Sequence, residues 1–181
     1  QHLELCRDIA QKFNNDFNVG DFFKIPEPLI KKEFSRIMSL KDGLKKMSKS
    51  EISDLSRINL TDDKDTIANK IKKAKTDALP LPSTIEELEK RPEAKNLIGI
   101  FSSLSGLTLE NSINEFSGKN FSQFKESLSQ LLIEKIIPIS FEIKKLLNDH
   151  KYLDSILIDG YKKADKIASE KVKKIHEIIG F

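Results

Sequence analysis

The sequence predicts a mainly α protein. Apolar residues recur at three- and four-residue spacing along most of the chain, Ser, Thr, Asp or Asn stands where several of these runs begin, and strand-like signals are scarce. At 181 residues, with 38% hydrophobic and 33% charged, the chain has the size of one domain, or one and a part, and a highly charged surface. No apolar run approaches the ~20 residues of a membrane span, so no membrane partner is expected. A net charge of +3 is too small to point to nucleic acid by itself. Cys6 is the only cysteine, which excludes an internal disulfide and a cysteine metal site.

Taken in order, Leu3, Cys6, Ile9, Ala10 and Phe13 predict an amphipathic helix over 2–16, with Cys6 buried on its apolar stripe and Asn18-Val19-Gly20 as the stop. Phe22 to Pro28 contains two prolines and reads as a loop. Ile37 to Leu40 is short and apolar, an edge strand leading into a lysine-rich loop. Thr61-Asp62-Asp63 caps a helix to about Lys75 with Ile67 and Ile71 inward. Residues 77–83 carry two prolines and read as a linker or a boundary between layers. Ser83 with Glu86 has the form of a capping box for a short helix to Lys90. Pro92 restarts a helix with Leu97, Ile100, Phe101 and Leu104 inward, ended by Gly106. Thr108 caps the next, carrying Leu109, Ile113 and Phe116.

Two long helices finish the chain. The first runs on Phe124, Leu128, Leu131, Leu132, Ile136, Ile139, Ile143, Leu146 and Leu147, with a kink expected near Pro138. The second runs on Leu153, Leu157, Gly160, Ala164, Ala168, Val172, Ile175 and Ile179. Gly160, Ala164 and Ala168 form a narrow ridge, expected to pack closely against another helix. The many lysines of these two helices read first as a solvated face with pairs such as Asp159–Lys163 and Glu170–Lys174.

The stretch that carries function is Lys45-Lys46-Met47-Ser48-Lys49-Ser50. It has no apolar periodicity, so a loop is expected rather than a packed helix or strand. Lysine supplies a mobile point charge with three donors and serine a hydroxyl, a donor set that suits a polyphosphate. For a lone K-x-x-K a solvated basic turn is the favoured reading by a wide margin; here the context changes the balance. The longer run from Arg36 to Ser50, RIMSLKDGLKKMSKS, resembles the nucleotide-binding signature of class I aminoacyl-tRNA synthetases, in the form carried by bacterial and organellar tryptophanyl-tRNA synthetases. Gln1-His2-Leu3-Glu4-Leu5-Cys6-Arg7-Asp8-Ile9-Ala10 resembles the helix that follows that family's Gly-Glu-Asp-Gln segment. Gly160-Tyr161-Lys162-Lys163-Ala164, Ile167-Ala168 and Gly180-Phe181 resemble its C-terminal helix. The resemblance runs nearly end to end and is weakest over 78–95. Two positions depart from it: Glu51-Ile52-Ser53 stands where the family usually has Asp-Pro or Asp-Asp, and Gly43 replaces a usual proline, which predicts a more flexible approach to the loop.

The resemblance implies the tail of a Rossmann-like α/β catalytic domain over 1–50, ending in the lysine loop, and an all-helical domain over 51–181 that contacts the tRNA anticodon region. Individual tRNA contacts are not assigned. It implies that a tryptophan carboxylate attacks the α-phosphate of ATP and that the adenylate then passes its acyl group to tRNA(Trp). Lys46 and Lys49 would stabilise the developing phosphoryl charge, with Mg²⁺ carried by ATP. Ser48 and Ser50 would donate to phosphate oxygens, and Ile37 and Met47 would border the adenine through backbone groups. A homodimer in the bacterial cytoplasm is implied, with an organellar matrix as the alternative. The family's His-Ile-Gly-His-like motif and tryptophan pocket would lie upstream of Gln1, so the chain is expected to be the C-terminal half of a longer enzyme and inactive by itself. A non-catalytic synthetase-like module that binds RNA or protein is the rival reading, and a helical domain with an accidental lysine loop is a third. His2, His150 and His176 show no metal-ligand spacing, and Glu86, Glu87 and Glu89 form an acidic turn with no apolar pocket to raise a pKa.

Overall fold

Seven α-helices, one short 3₁₀ turn and one β-hairpin make up the residues that the computed structural model describes, 1–29 and 36–181. They fall into two compact units, Lys32–Asn148 and the pair Gln1–Lys31 with Asp149–Phe181. No helix among the described residues is long and apolar enough to cross a membrane.

In the larger unit, β1 (Met38–Ser39) pairs antiparallel with β2 (Asp42–Lys46), Met38 facing Lys46 and Ser39 facing Asp42. The expectation of a loop over Lys45 and Lys46 is therefore corrected, since both lie in β2. The reason is physical. An edge strand takes its stability from the ladder to its partner, and side chains that stand in water need no apolar alternation. After the 3₁₀ turn Asp54–Ser56 come α2 (Lys64–Lys72), α3 (Ile85–Glu89), α4 (Pro92–Ser105), α5 (Leu109–Phe116) and α6 (Phe121–Leu147). Pro138 lies inside α6, which continues beyond it.

These helices close over one core. Ile67 and Ile71 of α2, Leu88 of α3, Leu97 and Ile98 of α4, and Phe124 and Leu128 of α6 are all fully enclosed. The rings of Phe101, Phe116 and Phe124 meet near edge-on or tilted, with centroids 4.9, 4.9 and 6.0 Å apart, geometry that suits the aromatic quadrupole. Most of the expected boundaries hold. Asp63 caps α2 by accepting from the Thr66 backbone N–H at 2.8 Å, Thr108 caps α5 by accepting from Asn111 at 3.2 Å, and Gly106 ends α4 at φ 77°. Helix α2 stops at Lys72, short of Lys75, because the Lys75 backbone N–H leaves the helix and donates to the Leu40 carbonyl at 2.7 Å. The cap of α3 is displaced by one residue. Thr84 accepts from Glu87, while the Glu87 carboxylate accepts from the Ser83 backbone N–H at 2.8 Å. Nor is 77–83 a linker: Leu81 is buried, and its backbone pairs with Lys119 and Gly118.

The smaller unit contains α1 (His2–Asp16) and α7 (His150–Ile179). Its contacts gather at the C-terminal end of α1. Phe13, Phe17, Phe22 and Phe23 form an aromatic cluster, the Asn14 amide pairs with both backbone groups of Phe23, and the Lys171 ammonium lies 3.6 Å from the centre of the Phe22 ring. The burial expected of Cys6 is corrected, because Cys6, Leu3 and Ile9 are exposed and only Ala10 and Asn14 of α1 are buried. Likewise α7 buries no residue, and nothing lies within 4 Å of a Cβ built on Gly160, so that ridge holds no close neighbour. The pairs Asp159–Lys163 and Glu170–Lys174 do not form among the described residues; Ser169 instead donates to Asp165 at 2.9 Å.

Candidate functional site

The hairpin that presents the loop is held at three places. The Asn96 side chain of α4 accepts from the Met38 backbone N–H at 2.9 Å and donates to the Met38 carbonyl at 2.8 Å. The Leu40 backbone donates to the Ser56 carbonyl and accepts from Lys75. Gly43 is buried against the first turn of α4, where a Cβ would stand 2.7 Å from the Glu93 nitrogen and the Pro92 carbonyl carbon. Here the expectation of a flexible approach is corrected. Gly43 is the residue that lets two backbones touch, and this contact fixes the hairpin. Nearby, Lys75 Nζ lies 2.8 Å from Glu93 Oε1, and that hydrogen bond holds the Glu93 carboxyl below its usual range and the Lys75 ammonium above its own.

The loop leaves the hairpin at Met47, whose backbone N–H donates to the Ile37 carbonyl at 3.0 Å. Both side chains are partly buried against the core. Ile37 and Met47, ten residues apart, are thus brought together as one backbone edge. Lys46, Ser48, Lys49 and Ser50 are all exposed. The hydroxyls of Ser48 and Ser50 are 2.9 Å apart, and Ser48 Oγ accepts from the Ser50 backbone N–H at 3.3 Å. No ion pair among the described residues engages Lys46 or Lys49. Two ammonium groups, one at the end of β2 and one in the loop, and two hydroxyls are therefore presented to solvent within five residues, a donor set that fits a polyphosphate.

The far anchor is a network that reading the sequence missed. Lys70 of α2 is 1% exposed and reaches both Asp54 and Asp62 at 2.6 Å. Asn59 donates to Asp54 at 2.9 Å and to Asp62 at 3.2 Å. Arg57 contacts Asp54 at 3.0 Å, donates to Asn59 at 3.1 Å, and donates to the Glu51 carbonyl at 2.8 Å. The Asp54 carboxyl is held below its usual range, first by the hydrogen bond from Lys70 and then by that from Asn59. A signal for Lys70 was present, because Ile67, Lys70, Ile71 and Ala74 share one helical stripe and all four are buried.

A groove of about 600 Å³ lies elsewhere, between α2 and α6, lined in part by Lys72, Lys125 and Ile133. Lys125 is committed to the carbonyls of Lys72 and Ala74, the end of α2, and burial lowers its pKa. That groove brings together none of the residues singled out for phosphate chemistry.

The pattern of the tRNA synthetases class I (W and Y) matches residues 1–134. This chain belongs to that family. The tryptophan–tRNA ligases of Caulobacter vibrioides and Rickettsia conorii are each 51% identical to this chain over 181 residues, a match covering 100% of it and 53% and 54% of their own lengths. The chain thus spans about half the length of the curated relatives it matches. Among solved structures, a tryptophanyl-tRNA synthetase from Mycoplasma pneumoniae superposes with a TM-score of 0.81 at 25% identity, over 99% of this chain and 53% of that one. One from Campylobacter jejuni, solved with ADP and tryptophan, gives 0.66 at 29% identity, over 99% and 54%. The tryptophanyl resemblance read from the lysine loop agrees with these relatives.

Proposed function

We propose that this chain is part of a tryptophan–tRNA ligase and that Lys46–Ser50 is its ATP-phosphate loop. In the reaction, a tryptophan carboxylate oxygen forms a bond to the α-phosphorus of ATP, the bond to the β-phosphate oxygen breaks, and pyrophosphate departs with the electron pair. A ribose hydroxyl oxygen of tRNA(Trp) then bonds to the acyl carbon, the bond from that carbon to the phosphate oxygen breaks, and AMP departs with the electron pair. No residue of the loop is a base or a nucleophile. The work assigned to Lys46 and Lys49 is to stabilise charge that builds on phosphoryl oxygens, and that assigned to Ser48 and Ser50 is hydrogen bonding to the same oxygens. The backbone edge of Ile37 and Met47 is assigned to the adenine. Mg²⁺ enters as the counter-ion of the nucleotide.

One observation carries this reading: exposed Ser48, Lys49 and Ser50 stand on an arc of chain anchored at Met47 and at Glu51, and exposed Lys46 ends the strand that leads into it. Nucleotide and tryptophan in the Campylobacter jejuni relative support it. Residues 1–50 are assigned to the closing part of a Rossmann-like catalytic domain and 51–181 to a helical domain facing the tRNA anticodon region, in a cytoplasmic homodimer. The experiment is single-turnover adenylation by the whole protein that carries this chain. Lys46→Ala and Lys49→Ala are each expected to slow adenylate formation by about 10²–10³-fold, the usual cost of losing one preorganised contact to developing charge, with tryptophan binding unchanged. Unchanged rates in both variants would remove the loop from the reaction.

A further inference from the structure

The network behind the loop does something that core stabilisation alone does not require. An ion cluster that only joined α2 to the 3₁₀ turn would be complete with Lys70, Asp54, Asp62 and Asn59. Arg57 extends it outward. All three guanidinium nitrogens are used, one on Asp54, one on Asn59 and one on the main-chain carbonyl of Glu51, an exposed residue immediately after Ser50. The fork of donors on arginine is planar and rigid, so two fixed partners determine where the third must be. The two partners are themselves fixed. Lys70 is buried and meets two carboxylates, an arrangement that tolerates little movement because a buried charge without its partner is costly. Asn59 joins those carboxylates through its amide and its backbone N–H.

We propose that Arg57 is a positioning residue for the phosphate loop, holding the exit of the loop at the Glu51 carbonyl so that Lys49 and Ser50 are presented in register with Lys46. This rests on the ATP-loop reading above. The entrance is held by the Met47–Ile37 backbone bond, so Ser48, Lys49 and Ser50 form a three-residue span between two pins. Releasing the exit pin leaves every side chain of the loop chemically intact and changes only its placement. Misplacement of about 1 Å is enough to cost a positioned group up to about 10²-fold in rate.

The test uses the whole protein with Arg57→Gln, Arg57→Lys and, in parallel, Lys46→Ala. Three quantities are read: the burst amplitude of adenylate, which counts active sites, the single-turnover rate per site, and amide hydrogen exchange over residues 48–51. Arg57→Gln is expected to keep the amplitude and the tryptophan KM, to slow the rate per site by about 10–100-fold, and to speed exchange at 48–51. Arg57→Lys keeps the charge near Asp54 but not the fork, and should fall between the two. A loss confined to burst amplitude would make Arg57 merely structural and overturn the proposal, as would an unchanged rate together with unchanged exchange. If Lys46→Ala slows the reaction and Arg57→Gln does not, positioning fails while the ATP reading stands. If neither slows it, both fail.

Discussion

In the loop, Lys46 and Lys49 stand in water and pair with nothing among the described residues, whereas Lys70, in the base that follows, is enclosed and holds two carboxylates at 2.6 Å. The side chain is the same and the physics is opposite. An exposed ammonium keeps its hydration and its mobility, adds little to stability, and is available to an incoming anion. A buried one has given up water and is retained only while its partners stay in place. The difference teaches that charge near a ligand loop divides into charge that reacts to the ligand and charge that fixes the frame. Substitutions should therefore separate rate from stability along this short stretch of chain.

The largest effect is expected at the base. Lys70→Met leaves Asp62 buried without its cation and should cost about 3–5 kcal/mol in urea unfolding of the whole protein. It should also alter the acid limb of stability. Asp54 is held below its ordinary range chiefly by Lys70, so its contribution is complete above the unfolded carboxylate range and is lost as pH falls through its lower folded pKa. Lys70→Met should flatten that fall, and an unchanged acid limb would show that Lys70 does not set the Asp54 titration.

Next come Lys46→Ala and Lys49→Ala, for which the comparison sharpens the adenylation test into a contrast. The rate should drop by about 10²–10³-fold while urea stability stays within about 0.5 kcal/mol of wild type, as for surface positions away from caps and cores. If either variant lost several kcal/mol, the division between loop and frame would be broken. Smaller still is the entrance side. Gly43→Ala drives a Cβ into the backbone of Pro92 and Glu93, which cannot rotate away as a side chain can. An overpacking cost of about 1–3 kcal/mol is expected, measured by the same unfolding experiment.

Much of the frame was legible because its signals are local. Thr108, Asp63 and Gly106 announce helix ends through their own side chains or their freedom at positive φ, and Leu97, Phe101, Ile113 and Phe116 repeat at helical spacing and are buried as that spacing implies. The same spacing misled in α1 and α7. Leu3, Cys6, Ile9 and Leu157 have the period of a buried face and stand exposed, because periodicity shows which side of a helix is apolar and not whether anything covers it. In the site, Lys46 to Ser50 were legible as a contiguous motif. The pins were not. Asp54, Asn59, Asp62 and Lys70 meet across a turn and a helix with no fixed interval, and Asn96 reaches Met38 from 58 residues away.

Lys45 gives the smallest expected effect and the most discriminating one. It adjoins Lys46 on β2 and is also exposed, so bulk charge and distance along the chain treat the two alike. The strand does not. Lys46 stands opposite Met38 in the ladder, whereas Lys45 lies in the irregular stretch between the Met38–Lys46 and Ser39–Asp42 pairs, so the backbone of Lys46 is set by a partner strand and that of Lys45 is not. A diffuse basic patch would respond to the loss of either charge by a similar amount and would weaken with added salt in the same way. A geometrically set phosphate contact would not. Lys45→Ala is therefore expected to change the single-turnover adenylation rate by less than about threefold, well under the 10²–10³-fold cost of a lost preorganised contact, and to leave urea stability within about 0.5 kcal/mol. Measured beside Lys46→Ala at two salt concentrations, the pair isolates the placement of the residue as the variable. Equal losses from Lys45→Ala and Lys46→Ala would mean that the loop acts through net charge alone, and the roles assigned separately to Lys46 and Lys49 would have to be withdrawn.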